Sequence, residues 1–259
     1  NLACDLGMTM VVTDHHEIRQ DEAGKDLLPR AAAVVNPKRR ESPYPFPEIC
    51  GGMVAYKVVQ ALYRIFGVPK AEWLDLMEFA ALATVGDVMK LQDENRIVVK
   101  EGLRRMGQTK NLGLRKLFEK NNLDPSHLTA YHIGFVIGPC LNASGRLETA
   151  KQALALLLSE DEEEADRLAG KLKELNDTRK TMTAKSVEEA CALAEGQYGE
   201  DWVFVIYLPD CHESLAGIVA GRLRERYHKP AIVLTKGEES IKGSGRSIEQ
   251  YSMYEEMTK

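Results

Sequence analysis

The sequence lacks the features that mark several classes of protein. Its longest purely apolar stretches, such as Ala153 to Leu158, are far shorter than the ~18 residues that a membrane-spanning helix needs. The five cysteines are scattered and form no CxxC pair, which is typical of reduced thiols in a cytosolic protein and not of a disulfide framework. No basic, apolar signal segment is evident at the start, and no internal repeat or low-complexity tract occurs. We therefore expect a cytoplasmic protein that does not contact membranes.

Positive charge is also in deficit. The chain has 34 Lys and Arg against 39 Asp and Glu, a formal net charge of −5, so any contact with nucleic acid must come from a local basic groove. The length of 259 residues suggests two domains, given about 150 residues per domain. Because the chain has no initiating Met and opens in what reads as a helix-to-strand passage, we expect a segment of a longer protein.

The apolar pattern of the first half predicts alternating strands and helices. Short apolar runs at 8–13 and 31–36 predict buried strands. Apolar residues at helical spacing predict one helix that begins at Gly51 and a second, single helix over 71–85. This order is typical of an α/β fold.

The second half predicts a long helix followed by a further α/β unit. Residues 161–195 are rich in Glu, Lys and Ala with a thin apolar stripe, which indicates a partly exposed helix that bridges two domains. A strand at 202–208, a helix at 215–227 and a strand at 231–234 then predict a βαβ unit.

Asp14, His15 and His16 directly follow the first predicted strand. The carboxyl ends of strands are where open α/β sheets bind ligands. Imidazole and carboxylate groups can hold a metal ion that activates water, and a histidine ligand needs an acceptor to orient it. The adjacent residues can therefore supply a metal ligand, a phosphate contact and an orienting carboxylate. The alternative is a polar loop whose histidines face solvent.

Asp87 follows a predicted helix and Gly86. This arrangement can aim its carboxylate into the crevice at the sheet edge where Asp14, His15 and His16 lie. Mg²⁺ and Mn²⁺ prefer such oxygen ligands. The alternative is a simple turn, in which Asp is common beside Gly. Asn95, a little further on, is interpreted as a helix cap.

Two later segments combine small residues with cations. The first runs from Gly138 to Leu147 and contains Arg146, whose guanidinium could clamp a phosphate with two hydrogen bonds. The second runs from Lys242 to Ser247, where two glycines and two hydroxyls suit a nest of backbone N–H groups for a nucleic-acid phosphate. A basic hairpin turn is the alternative for the second segment.

Taken together, six ordered segments resemble the DHH superfamily of phosphoesterases, and specifically the RecJ single-strand-specific exonucleases. The segments are TDHHE, VVNPKRRESPYPFPEICGGMVAYKV, ATVGDVMKLQDENRIVVKEGL, IGPCLNASGRLETA, HESLAGIVAGRLRERYHKPAIVL and KGSGRSI. They cover nearly the whole chain. The NPKR, PYPF and CGG elements separate RecJ from the shorter oligoribonuclease and pyrophosphatase relatives.

The resemblance implies an α/β fold in three parts. Residues 1–160 would form a DHH domain with a parallel sheet, truncated at its N-terminus. Residues 161–195 would form the connecting helix, and residues 196–259 a smaller α/β DHHA1 domain that binds nucleic acid and is truncated at its C-terminus.

The resemblance also implies a function, cofactors and partners. The intact protein would use two Mn²⁺ or Mg²⁺ ions to hydrolyse single-stranded DNA from 5′ to 3′ into mononucleotides, in DNA repair and recombination. Single-stranded DNA is the implied partner. Protein partners, such as a single-strand-binding protein or a helicase, cannot be deduced from the sequence.

The matching motifs carry residue roles with them. His15 and Asp87 match metal ligands, His16 matches the histidine beside the scissile phosphate, and Asp14 matches its supporting carboxylate. The positions that match nucleic-acid-binding residues are Asn142, Arg146, His212, Gly243, Ser244, Gly245, Arg246 and Ser247.

The sequence departs from the family pattern in one respect. An Asp-x-Asp after a first strand and a further Asp before the DHH strand are missing from it. These carboxylates supply much of the two-metal cage, so we expect the 259-residue chain alone to be inactive. Two other functions are compatible with the motifs: a DHH phosphodiesterase that acts on short oligonucleotides or cyclic dinucleotides, and a catalytically silent scaffold that binds nucleic acid.

Overall fold

The computed structural model of the protein describes residues 1–259 and contains two small sheets. In the first sheet, β1 (Val11–Thr13) and β2 (Ala33–Val35) run parallel. In the second sheet, β3 (Phe204–Tyr207) runs parallel to β4 (Ala231–Lys236), which pairs antiparallel with β5 (Ile241–Arg246). The predicted α/β class with parallel strand pairing is confirmed.

Helices form most of the remaining structure. Their bounds are Leu2–Asp5 (α1), Gly51–Ile65 (α2), Lys70–Asp75 (α3), Met77–Gly86 (α4), Asp93–Met106 (α5), Leu112–Lys120 (α6), Ala130–His132 (α7), Gly138–Leu147 (α8), Lys151–Leu158 (α9), Glu162–Gly196 (α10), Ala216–Tyr227 (α11) and Met253–Met257 (α12). Short 3₁₀ turns occupy Pro125–His127 and Glu213–Leu215, and a π-helix occupies Ile133–Ile137. None of the helices combines the length and the apolar character that a bilayer crossing requires.

The single helix predicted over 71–85 is wrong, because the chain forms α3 and α4 there, with a break at Leu76. The break lets Trp73 of α3 turn toward α2, where its ring packs edge-on against Tyr56 with the ring centroids 6.1 Å apart. Helix α4 has its own buried residues, among them Ala80, Ala81 and Leu82.

One compact unit consists of residues 1–139 together with residues 159–166. Glycines let three of its helices approach closely. A Cβ placed at Gly52 of α2 would lie 2.4 Å from the Cβ of Ala83 of α4, and one at Gly102 of α5 would lie 2.3 Å from the Cβ of Ala81 of α4. Helix α4 is thereby held between α2 and α5, which sets the position of the residues at its C-terminal end.

The second compact unit consists of residues 140–158 and 167–259. Its core contains alternate residues of β3 and β4 and the inner face of α11, for example Phe204, Val233 and Leu223. Helix α10 confirms the long helix predicted over 161–195. The domain limits of 1–160, 161–195 and 196–259 that were drawn around it stay a prediction.

Candidate functional site

The chain segment after β1 carries Asp14, His15 and His16. The backbone N–H of Asp14 donates to the carbonyl of Val35 at 3.0 Å, which continues the pairing of β1 with β2. Asn36, directly after β2, is buried, and its Nδ2 donates to the carbonyl of His16 at 3.0 Å. The two parallel strands therefore deliver both segments to one edge of the sheet, as the sequence predicts.

Asp14 orients the two histidines. Its Oδ1 accepts the backbone N–H of His15 at 2.7 Å and that of His16 at 3.2 Å, and it lies 2.7 Å from Nδ1 of His16. The hydrogen bond from the His16 ring is the main reason that the pKa of Asp14 falls to about 2. Because an ionised carboxylate can only accept, Nδ1 of His16 carries the proton, and Nε2 is the nitrogen that this largely exposed ring presents outward.

His15 turns toward Asp87. Its Nε2 lies 3.7 Å from Oδ2 of Asp87, which stands directly after α4. The His15 side chain is 20% exposed and the Asp87 side chain 49% exposed, so the pair opens to solvent on the carboxylate side. The distance agrees with the expectation that the Asp87 carboxylate lies beside the histidine segment, and its role as a metal ligand stays a prediction. One imidazole nitrogen and one carboxylate oxygen fit Mn²⁺ or Mg²⁺, and no group of three or more potential ligands occurs in the chain.

The first turn of α2 supports His15. A Cβ at Gly51 would lie 3.2 Å from Cδ2 of His15, so the missing side chain leaves the space that the ring uses. Cys50 caps this helix, because its Sγ accepts the N–H of Met53 at 3.4 Å. The same Sγ lies 3.6 Å from Oγ1 of Thr84, which joins the start of α2 to α4. The first turn of α2, which lies beside His15, is thus in direct contact with α4, the helix that ends just before Asp87.

Asn95 is a supporting residue that the sequence reasoning missed. It is fully buried in α5, and its Nδ2 donates to the carbonyls of Lys90 at 3.0 Å and Glu48 at 2.7 Å. It therefore fastens the loop that follows Asp87 to the loop that precedes α2, and it is not a helix cap. The signal was its helical spacing from the buried Val98 and Val99, which places Asn95 on the inner face of α5.

In the second unit, two of the predicted nucleic-acid-binding residues meet at the turn before α11. The Nη1 atom of Arg146 donates to the carbonyl of Ser214 at 2.9 Å. Nδ1 of His212 caps the same turn, because it accepts the N–H of Ser214 at 3.3 Å and lies 2.8 Å from its hydroxyl. Asn142 precedes Arg146 by one turn on the exposed face of α8.

Ser244 and Arg246 reach the first turn of α11 from β5. A Cβ built at Gly217 would lie 2.7 Å from Nη2 of Arg246 and 2.9 Å from Oγ of Ser244. Nη1 of Arg246 donates to Oγ of Ser244 at 3.1 Å and to the carbonyl of Gly245 at 2.8 Å. Neither Arg246 nor Arg146 forms an ion pair, so two uncompensated guanidinium groups stand at one end of α11.

The prediction of a phosphate-binding nest at 242–247 is wrong in its local geometry. Most of this segment lies in β5, where successive N–H groups point in opposite directions and cannot converge on one anion. Its glycines serve packing instead. A Cβ at Gly243 would lie 2.5 Å from Cδ2 of Leu234, and one at Gly245 would lie 2.9 Å from Cε of Met253.

Ser247 stands just after β5. Its Oγ accepts the N–H of Met253 at 3.1 Å, which ties the end of the strand to α12. Contact with nucleic acid stays a prediction for Asn142, Gly243, Gly245 and Ser247. The metal, catalytic and nucleic-acid-binding roles of the other predicted site residues also stay predictions.

Comparison with known proteins supports one family. No family model matches the chain. The single-stranded-DNA-specific exonuclease RecJ of Bacillus subtilis is 38% identical over 259 residues, which is 99% of this chain and 31% of that protein. The chain spans less than half the length of the curated relatives that it matches.

Solved structures of RecJ have the same fold. The crystal structure of RecJ in complex with Mn²⁺ from Thermus thermophilus has a TM-score of 0.80 at 31% identity and covers 94% of this chain and 34% of that one. A second structure of the Thermus protein is in complex with Mg²⁺. A crystal structure of exonuclease RecJ bound to manganese has a TM-score of 0.83 at 32% identity and covers 99% of this chain and 61% of that one. The resemblance drawn from the motifs is confirmed.

Proposed function

We infer that this chain is a segment of a RecJ-family exonuclease, and that the intact protein hydrolyses single-stranded DNA from its 5′ end to mononucleotides with the help of Mn²⁺ or Mg²⁺. The observation that carries this proposal is the approach of His15 Nε2 to Asp87 Oδ2 at 3.7 Å, at the sheet edge that also bears His16. The similarity to RecJ over nearly the whole chain supports the choice of substrate.

The proposed metal ligands in this segment are His15 and Asp87. A bound divalent ion would polarise the scissile phosphodiester and favour the ionisation of a nearby water. Two donors are fewer than a pair of ions requires, so the intact protein would have to supply further carboxylates. Gly51 at the start of α2 leaves space for the His15 ring, and Cys50 caps that helix.

His16 and Asp14 would act on the phosphate. Asp14 keeps the proton of His16 on Nδ1, so that Nε2 faces outward. With a proton on Nε2 as well, the ring would donate a hydrogen bond from there to the phosphate oxygens and stabilise the charge that develops on them during in-line attack by water. Asp14 is fixed in turn by two backbone N–H groups, which keeps this arrangement rigid.

The second unit would hold the strand. Arg146 and Arg246 lack carboxylate partners, so they are free to form charge-assisted hydrogen bonds with phosphates. The hydroxyl of Ser244 beside Arg246 adds a donor. Contacts of this type give affinity without base preference.

The remaining expectations form part of the same proposal. Residues 1–160 would be the DHH domain, 161–195 the connecting helix and 196–259 the DHHA1 domain. All five cysteines are free thiols, which agrees with a reducing cytoplasm, where the enzyme would act in DNA repair and recombination.

The test uses the intact protein with His15→Ala and Asp87→Ala, assayed for nucleotide release from a long, 5′-labelled single strand with Mn²⁺. We expect each variant to lose more than about 100-fold in rate while it still binds the strand, because ligand loss removes metal chemistry and affinity rests on phosphate contacts. The matched controls are His127→Ala and Asp124→Ala, which break another exposed His–Asp pair, 2.8 Å apart, in the same unit.

Near wild-type rates in the His15 and Asp87 variants would contradict the ligand assignment. Products longer than one nucleotide would favour a phosphodiesterase that acts on short oligonucleotides. Binding without any metal-dependent release, in the unmodified protein, would favour a silent scaffold.

A further inference from the structure

Gly217 is the second residue of α11, where the backbone does not require glycine. Its φ lies outside the left-handed region, unlike that of Gly7, Gly24 and Gly67. Ala is favoured over Gly inside helices, so a glycine here needs another reason. That reason is space, because a Cβ would lie 2.7 Å from Nη2 of Arg246.

The atoms that a Cβ would meet at Gly217 differ from those that it would meet at Gly52 and Gly102. A Cβ at Gly52 or Gly102 would collide with a methyl group of a packed neighbouring helix. A Cβ at Gly217 would collide only with polar ends, the guanidinium of Arg246 and the hydroxyl of Ser244 at 2.9 Å. A long arginine side chain can move away, so a methyl group here would displace the guanidinium without disrupting the core.

We propose that Gly217 is a positioning residue for phosphate binding: its missing side chain sets where Arg246 and Ser244 stand at the first turn of α11. The ligand is a phosphodiester of single-stranded nucleic acid. The guanidinium of Arg146 is bonded one turn earlier, to the carbonyl of Ser214, so both free cations border this position. The proposal rests on the proposed function, in which Arg246 contacts the strand.

The test compares Gly217→Ala with Gly221→Ala in the intact protein. Gly221 lies one turn later in α11, and a Cβ there would have no atom within 4 Å. Gly221→Ala gains helix propensity in the interior of α11 and should keep or raise the Tm; Gly217→Ala gains less in the first turn but should keep the Tm, because only flexible side-chain ends must move. The measurement is the Kd for a fluorescent oligo-dT single strand over a series of salt concentrations.

Only Gly217→Ala should weaken binding. Loss of one phosphate contact lowers the slope of log K against log salt by about 0.7 for a single strand, which corresponds to roughly fivefold weaker binding at 0.1 M salt. A purely structural defect would lower the fraction of active protein but leave this slope unchanged. An unchanged slope and Kd for Gly217→Ala would overturn the proposal.

Arg246→Ala, measured in parallel, separates the positioning role of Gly217 from the proposed contact of Arg246 with phosphate. If Arg246→Ala weakens binding and Gly217→Ala does not, the positioning role is wrong and the phosphate role of Arg246 stands. If neither has an effect, the phosphate role of Arg246 is wrong as well. The double variant should lose less than the sum of the two single losses, because both act on one contact, and fully additive losses would contradict the proposal.

Discussion

The Nε2 atom of His15 and the Oδ2 atom of Asp87 lie 3.7 Å apart, although one residue follows the first strand and the other follows the fourth helix. Glycines beneath the pair make this approach possible. Gly51 leaves room for the His15 ring, and Gly52 lets α2 touch α4. The geometry of the proposed metal site therefore depends on Gly51 and Gly52, which have no side chain that could bind the metal or the substrate.

Gly51→Ala should impair catalysis without unfolding the intact protein. The new Cβ would lie 3.2 Å from Cδ2 of His15, so the ring must shift by a few tenths of an ångström. We expect a fall in kcat of roughly tenfold, since small misplacements of a reacting group are costly, and a higher Mn²⁺ requirement. The measurement is the rate of nucleotide release over a range of Mn²⁺. Gly196→Ala, where a Cβ meets nothing within 4 Å, is the control, and equal rates for both variants would contradict the role of Gly51.

Local signals made much of this arrangement predictable. Gly51 is the first residue of α2, and the β-branched run before Asp14 does form a strand, although the strand covers only Val11–Thr13 and the prediction that it is buried is wrong, since Val11 is 60% exposed. The rule that ligands bind at the carboxyl ends of parallel strands applied to Asp14, His15 and His16, whereas the role of Asp87, which follows a helix, was implied by the family resemblance. The long helix α10 was predicted from its composition to within one residue at each end.

Contacts between distant residues explain what the sequence did not predict. The break at Leu76 lets Trp73 reach Tyr56, and neither a glycine nor a proline marks it. The glycines of β5 were interpreted as a phosphate-binding nest or a hairpin turn, because their packing partners, such as Leu234, lie on the neighbouring strand. The helical spacing of Asn95 indicates an inward-facing residue, but its carbonyl partners lie in two loops that the spacing does not identify.

Asp14→Asn should lower the nuclease rate by about 10- to 100-fold while changing the Mn²⁺ requirement little, because Asp14 orients His16 and is not a proposed ligand. The amide keeps the size of the side chain but removes the charge that holds the proton on Nδ1 of His16. Asp124→Asn is the control, since Asp124 also accepts from a backbone N–H and a histidine ring in an exposed turn. An unchanged rate for Asp14→Asn would mean that this carboxylate does not orient His16 during turnover.

Gly102→Ala should destabilise the fold. The added methyl group would lie 2.3 Å from the Cβ of Ala81 and 2.8 Å from the carbonyl oxygen of Met77, so α4 and α5 must separate. Overpacking of this kind typically costs about 1–3 kcal/mol in the free energy of unfolding, which urea denaturation measures. Gly221→Ala is the control and should be neutral or stabilising by up to about 1 kcal/mol. Equal stability of the two variants would show that the helices can move apart freely.

Glu78→Gln should remove a pH dependence of stability. Glu78 is buried in α4, and burial raises the pKa of its carboxyl above the usual 4.5; Asp75 raises it further, whereas the Thr109 hydrogen bond at 2.8 Å and Arg105 lower it. The unfolded chain therefore releases this proton at a lower pH than the folded protein does. As the pH rises through 4.5 and on through the higher folded-state pKa, this group makes the free energy of unfolding fall, and above that pKa the loss is complete. Gln stays neutral and can still accept from Thr109, so the variant should gain on the wild type as the pH rises from 4 to 8. Urea denaturation at several pH values measures this difference. The control is Glu72→Gln on the exposed face of α3. Parallel pH profiles of stability for the wild type and Glu78→Gln would show that the buried carboxyl does not titrate on unfolding.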